Sequence, residues 1–376
     1  MKVSLLQENL AKGVGAVGRV VAGKVQLPVL ANILLATEQG KLRLSATNLE
    51  TGMNLWLGGK VEKQGKITVP ARVFGELVNS LPQDTVELVT EGDKLKVGCG
   101  KFKAVVNGIA AEEFPGVPSL KKRAKKPGIL VLKKEVLESS VGQVALAAGV
   151  DEARPIFTGV KMEFRKGKIR LAATDGYRLS VKTIDGVKGI RKEREMVVPA
   201  RALMELVKVL SSAEQDKNEV VLAATDEEKQ LILAVDEVEI VTRLLEGDFP
   251  DFDKIIPAST STTIELDKEE LQQAVRAAAI FARDSANIVK FRVTGSSLVI
   301  SANAPQVGEN EVELIGEKTG EDGEIAFNSR YLLEMLGVVE AERLILSMSG
   351  ALNPGLFKVV GDESWLHVIM PVRVQT

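Results

Sequence analysis

Three segments of this chain share one pattern at one spacing: VPARVFGELVNSL (69–81), VPARALMELVKVL (198–210) and FNSRYLLEMLGVV (327–339). Their starts are separated by 129 residues twice, and Arg72, Arg201 and Arg330 coincide, as do Glu76, Glu205 and Glu334. Apolar residues recur at helical spacing in each copy, which predicts three amphipathic helices. Pro70 and Pro199 suit a first helical turn, and Asn328 stands where an N-cap residue fits. Two further landmarks agree. KLRLSATNL (41–49), KIRLAATDG (168–176) and SLVISANAP (297–305) read as alternating strands that run into turns, with Leu44, Leu171 and Ile300 aligned. Leu10, Leu137 and Leu271 align near the start of each copy, and Val14, Val141 and Val275 follow on the same helical face. A chain with three landmarks at one period must build one supersecondary unit three times. Each unit reads strand, helix, strands, helix, strands over about 128 residues, a normal domain size. Boundaries fall near PSLKKRAKKPG (118–128) and IPASTST (256–262).

Composition narrows the function. Formal net charge is −2, from 49 Lys+Arg against 51 Asp+Glu, so contact with nucleic acid requires local segregation of charge. The apolar fraction of 45% supports real cores. A lone cysteine, Cys99, allows no internal disulfide, and MKVSLLQENL carries no signal-peptide core. With no apolar run approaching roughly 18 residues, the chain is expected to be cytoplasmic and to make no membrane contact. Zinc chemistry needs three or four ligands, whereas His367 and Cys99 are the only residues of their types. No metal or cofactor is expected, and Cys99 reads as an inert thiol.

Three motifs invite sharper readings. GVGAVG (13–18) has dinucleotide-loop glycines, but it lies inside a segment already helical from about Gln7. The equivalent positions hold Ser140, Gly142 and Ala145, then Ala274, Arg276 and Ala279, so small residues for close helix packing explain all copies. The basic run Lys121–Lys126 reads as a solvated hinge in preference to a nucleic-acid patch. ATDGYRLS (173–180) offers Asp175 as a base and Arg178 as an anion clamp, the core of an alternative α+β enzyme reading. Without a nucleophile or second carboxylate nearby, an Asp-Gly turn between strands is the simpler account. Basic residues gather on or beside the helices: Lys12, Arg19, Lys24, Arg72, Arg201, Lys208, Arg276, Arg283 and Arg330. A solvated face with Arg72–Glu76 type pairs and a basic surface facing DNA both fit this pattern.

SATNLETGM, VPAR, ATDGYRLS, EGDFPDFDKIIP and FNSRYLLEML, in this order and spacing, make the whole chain resemble the bacterial DNA polymerase III beta subunits, the sliding clamps. The resemblance implies an α+β chain of three similar clamp domains (1–127, 128–257 and 258–376), helices inside and sheets outside. Two chains would close head to tail into a homodimeric ring around duplex DNA, without sequence readout or catalysis. The dimer interface would use Ile280 and Phe281 against the region of Ala104 and Val106. The polymerase III alpha subunit, other polymerases, the clamp loader and repair proteins would bind by short peptides. Their pocket would comprise Phe157, Thr174, Gly176, Tyr177, Arg178, Leu179, Pro250, Lys254, Ile255, Asn328, Tyr331, Met370, Pro371, Val372, Arg373 and Val374. Lys254 replaces a frequent Arg and loses its fork geometry, and Gln375 and Thr376 extend past the usual end.

Overall fold

The computed structural model describes residues 1–21, 27–122, 129–190, 192–212, 218–225 and 229–373. Lys24, the basic run beyond Lys122, and Val374, Gln375 and Thr376 lie outside these residues. Six α-helices occupy equivalent places in three copies: α1 (Gln7–Gly18) and α2 (Ala71–Ser80), α3 (Lys134–Ala145) and α4 (Ala200–Ser212), α5 (Lys268–Ala282) and α6 (Ser329–Val338). A strand precedes the first helix of each copy, strands fill the interval between the helices, and three strands follow the second. The repeat is therefore a repeat of structure.

Local chemistry sets the ends of these elements. Asp267 caps α5 by accepting from Glu270 N–H at 2.9 Å, and Asn328 caps α6 by accepting from Arg330 N–H at 2.9 Å. Pro70 stands at the N-cap of α2, one position before the expected first turn. Gln7 donates its side-chain amide to Val78 O at 2.8 Å, tying the start of α1 to the end of α2. Burial follows the helical period: Leu10, Val14 and Val17 in α1, and Leu271, Val275, Ala278 and Ala282 in α5, face the core.

GVGAVG lies within α1, as its sequence context indicates, but only part of it packs as expected. A Cβ on Gly13 would sit 2.9 Å from Leu57 Cδ1, whereas Gly15 and Gly18 face open space. The equivalents of Gly13, Ser140 and Ala274, are buried too. Close packing thus explains the first small position and not the second, where Arg276 stands exposed in the third copy.

The chain forms two compact units, Met1–Leu137 with Glu205–Leu244, and Glu138–Met204 with Leu245–Thr376. In the first, a five-stranded sheet ends on strand Phe102–Asn107, and an eight-stranded sheet joins Val238–Arg243 to Thr51–Gly58. Within that junction Ile240 lies opposite Met53. The second unit holds a nine-stranded sheet in which Asp362–Ile369 joins Arg178–Asp185, with His367 opposite Ser180. Its four-stranded sheet ends on Gly308–Ile315. Both junctions obey one rule: the last strand of a copy pairs with the third inter-helix strand of the copy before it. The core of the third copy gathers Leu271, Val275, Phe291, Ile300, Phe327 and Trp365 between α5, α6 and both sheets.

Candidate functional site

The turn between strands Lys168–Thr174 and Arg178–Asp185 is built by Asp175. Its Oδ1 accepts from Tyr177 N–H at 2.8 Å and Arg178 N–H at 3.0 Å, while Oδ2 accepts from Arg178 Nε at 3.1 Å. Thr174 donates its hydroxyl to Arg178 O at 2.6 Å, and Gly176 takes the left-handed φ of +92° that closes the turn. Both Asp175 oxygens are engaged inside the loop, so the Asp-Gly turn reading holds and the base reading loses its residue.

Arg178 carries its charge inward. Its side chain is 8% exposed, and the guanidinium lies 4.5 Å from the centre of the Tyr331 ring and pairs with Glu334 as well as Asp175. Burial, then the Asp175 charge, pushes the Tyr331 hydroxyl above its ordinary pKa. Glu334 was not among the expected site residues. Its repeat equivalent Glu76 does pair with Arg72 at 2.9 Å, but Glu205 takes Arg19 (2.9 Å) and Lys208 (2.7 Å), and Glu334 takes Arg178. The repeat fixes where the three glutamates stand, not which partner each one finds.

Around this turn the expected residues converge. Met370 N–H donates to Tyr177 O at 2.8 Å, and Val372 N–H donates to Ala326 O at 2.8 Å, two residues before the Asn328 cap. Phe157 comes alongside through Gly149, whose N–H donates to Phe157 O at 2.8 Å and where a Cβ would lie 3.6 Å from the Cβ atoms of both Phe157 and Asp175. Tyr177 (61% exposed) and Met370 (37%) offer apolar surface. Pro250, Ile255, Pro371 and Val372 are half-buried, and Arg373 is exposed. Lys254 turns to Asp251 at 2.9 Å. Leu179 departs from expectation: it is fully buried with Ala172, Val181, Phe252, Leu356 and Val368 and forms the floor beneath the surface, not its wall. In a hairpin, neighbours alternate faces, so the residue after Arg178 enters the sheet's packed layer.

Eight of the nine basic helix residues are described, and all eight are exposed. Arg19, Arg72 and Lys208 are paired with glutamates, whereas Lys12, Arg201, Arg276, Arg283 and Arg330 form no ion pair among the described residues. Lys121 pairs with Glu237 at 2.8 Å and covers the Trp56 ring at 3.9 Å, so this first lysine of the basic run is engaged and not free, and the run beyond Lys122 lies outside the described residues. Ile280 is 58% exposed on the same outward stripe of α5 as Arg276 and Arg283, while Phe281 is half-buried against the core. On the strand expected at the interface, Val106 itself faces inward. It is buried in its own domain and Ala104 half-buried, whereas Phe102 and Val105 are the exposed apolar residues of that strand.

Cys99 is buried, and burial pushes its thiol above the ordinary pKa. Among the described residues no cluster of His, Cys, Asp and Glu has the makings of a metal site, and no helix is long and apolar enough to cross a membrane. An open depression of about 730 Å³, lined in part by Lys290, Asn303, Glu309 and Asn310, lies along the Gly308–Ile315 edge and not at the Asp175 turn.

Three copies of one helix-and-sheet domain, with sheets shared across copies and a composite apolar surface around one turn, define a clamp-type repeat protein. Family models for the N-terminal, central and C-terminal domains of the DNA polymerase III beta subunit match residues 1–118, 131–251 and 253–373. The beta sliding clamp of Vibrio cholerae is 30% identical, with all of both chains covered. The solved sliding clamp of Bacillus subtilis aligns over all of both chains with a TM-score of 0.92 at 26% identity. A Pseudomonas aeruginosa sliding clamp solved bound to griselimycin aligns as completely, with a TM-score of 0.91 at 27% identity. The chain belongs to the bacterial DNA polymerase III beta subunit family, and its function is that of a DNA sliding clamp.

Proposed function

We propose that two chains close head to tail into a ring around duplex DNA, and that the surface around the Asp175 turn receives short peptides of polymerases, clamp loader and repair proteins. The observation that carries the ring is the pairing rule. Last strand and third inter-helix strand are joined at both internal junctions, which leaves one pair unmatched: Phe102–Asn107 of the first copy and Gly308–Ile315 of the third. Among the described residues the opposite margins of these sheets take no further strand in any copy, only single bridges such as Thr68 to Ile109 and Val197 to Leu245, so the repeat asks for no second chain there. Two chains related head to tail satisfy both open edges.

The rule also supplies a register. Ala104, opposite Val97 in its own hairpin, is the equivalent of Ile240 and His367, and Asn310 is the equivalent of Met53 and Ser180. Setting Ala104 of one chain opposite Asn310 of the other brings Phe102 to Val312, Lys103 to Glu311 and Lys101 to Glu313. Two basic residues thus meet two acidic ones and Phe102 meets Val312, while Ala104 and Val105 face Asn310 and Glu309. Exposed Ile280 and half-buried Phe281 stand in the same copy as this acidic edge.

The ring would hold DNA by topology, with no catalysis, cofactor or sequence readout. Five unpaired basic residues on the helices supply a weak, salt-dependent attraction to phosphates that lets the ring slide. The domain boundaries that fit this reading are 1–127, 128–257 and 258–376. In the peptide site, Tyr177, Met370, Pro250, Ile255 and Val372 offer apolar contacts and Arg373 adds a polar one, while buried Thr174, its hydroxyl donated to Arg178 O, shapes the turn from beneath. Negative-stain imaging tests the ring, since particles without a central hole overturn it. Loaded protein should stay on circular DNA and leave once the circle is cut, and equal retention on linear DNA overturns topological binding.

A further inference from the structure

The loop that brings Pro250 and Ile255 to the site has little regular structure of its own. It makes one 3₁₀ turn, Phe252–Ile255, without a side-chain cap, and Lys254 N–H reaches Asp251 O at a long 3.4 Å. Besides the apolar contacts of Phe249, Phe252, Ile255 and Ile256, one polar side chain on the sheet fixes it. Arg170 makes a two-pronged contact with Asp253, one bond at 2.9 Å and a second between its Nη2 and the other carboxylate oxygen. The same guanidinium lies 4.6 Å from the centre of the Phe252 ring, and Lys161 Nζ stands 5.6 Å from that ring. Phe252 is 2% exposed and packs with Leu179, the floor of the site, against which Ile255 also rests. Arg170 hydrogen bonding holds the Asp253 carboxyl below the ordinary carboxylate range, so the pair stays charged at neutral pH.

The repeat isolates this clasp. The first copy has Arg43 at the position of Arg170, and its connecting segment EFPGVP (113–118) matches DFPDFD (248–253). There Val117 and Pro118 stand in place of Phe252 and Asp253, and Arg43 turns to Glu38 at 3.1 Å. The third copy has Val299 at that position. The Arg–Asp–Phe arrangement therefore occurs in the one copy whose connecting segment borders the proposed site.

Resting on the peptide-site reading above, we propose that Arg170 is a positioning residue for that site: it pins loop 249–256 to the sheet so that Pro250 and Ile255 stand beside the Asp175 turn. A guanidinium suits this task because its planar fork can bond a carboxylate along one edge while its face lies on a ring, which an ammonium cannot do. The test uses full-length protein and a fluorescent peptide with leucine and phenylalanine anchors. Arg170→Met should weaken the peptide about tenfold, mainly through faster dissociation. It should also speed amide exchange in 249–256, while the dimer mass and melting temperature hold. Arg170→Lys should recover only part, and the exchanged pair Arg170→Asp with Asp253→Arg should bind better than either single variant. Wild-type affinity and unchanged loop exchange in Arg170→Met overturn the positioning role. If the wild-type protein itself fails to bind the peptide, the site reading falls, and the exchange measurement separately decides whether Arg170 pins the loop.

Discussion

His367 is the one histidine of the chain, which makes its titration directly measurable. It lies on strand Asp362–Ile369, fully buried, its ring stacked 6.0 Å from that of Trp365, and among the described residues neither ring nitrogen has a hydrogen-bond partner. Burial, with a smaller contribution from the Arg178 charge, pushes its pKa from 6.5 down to about 3. The folded value lies below the unfolded one, so the unfolded chain takes up the proton first. Above pH 6.5 neither state is protonated and the residue has no pH effect. As pH falls from 6.5 toward 3, stability drops by about 1.4 kcal/mol per unit, roughly 2 kcal/mol by pH 5 and nearly 5 kcal/mol over the whole interval. The paired carboxylates do not blur the upper part of this window. Asp253 and Glu195 are held low by Arg170 and Lys161, so their contributions are present above the unfolded carboxylate range and fade only below about pH 5. The assay is NMR of the ¹³C-labelled imidazole between pH 8 and 5, with urea unfolding at pH 7 and 5.5 on wild type and His367→Phe. The signal should not shift, and the variant should lose the extra pH dependence, because an apolar ring leaves no unpaired nitrogens. A titration midpoint near 6.5 would refute the reasoning.

Other outcomes follow from burial and spacing. Leu179→Ala should cost about 2–5 kcal/mol in thermal unfolding, because the side chain is wholly buried, while exposed Tyr177→Ala should cost under about 0.5 kcal/mol yet weaken the peptide. Equal melting temperatures for the two variants would contradict the buried floor. Lys103→Glu should raise the fraction of monomer in light scattering and Glu311→Lys should restore the dimer, whereas absence of rescue would exclude the proposed register. Gly15→Ala, in open space on α1, should stabilise by about 0.5–1 kcal/mol, whereas Gly13→Ala should give no such gain, since its Cβ would crowd the methyls of Leu57, Leu44 and Leu55.

The fold was legible because its signals are local and occur three times. Helical spacing at Leu10 and Val14, the cap at Asn328 and the Asp175 turn all depend on residues a few positions apart, and repetition separates the helices from chance. The convergence of turn, loop and C-terminal strand was legible only through family resemblance, since no periodicity links Tyr177 to Met370. What stayed hidden was the direction of single side chains. Leu179 and Val106 lie on the more apolar faces of RLSVK and FKAVVN, a pattern that marks which residues point inward but not that Phe102, on the same face as Val106, stays exposed. Long-range charge partners were equally invisible: Arg178–Glu334 spans 156 residues and Arg170–Asp253 spans 83.

The edges assigned to the ring contact differ in chemistry from the junctions inside the chain, and the difference has a physical reason. The internal junctions pair largely apolar strands, such as Ile240 and Val241 against Met53 and Gly52, and they need never open. The outer edges instead carry Lys101 and Lys103 on one side and Glu309, Glu311 and Glu313 on the other. An unpaired strand edge invites wrong partners, and like charges along it repel a second identical edge while attracting the complementary one. Exposed ion pairs contribute only about 0.2–1 kcal/mol each, so two of them cannot be the main source of ring strength. Backbone pairing and burial around Phe102 and Val312 must supply most of it. Dimer affinity should consequently fall only a few-fold between 50 and 500 mM salt, roughly what screening of two such pairs allows. Mixed-sign pairing should nevertheless be the only pairing observed when variants with both edges acidic or both basic are combined. A ring that dissociates completely in moderate salt would place its main contact elsewhere.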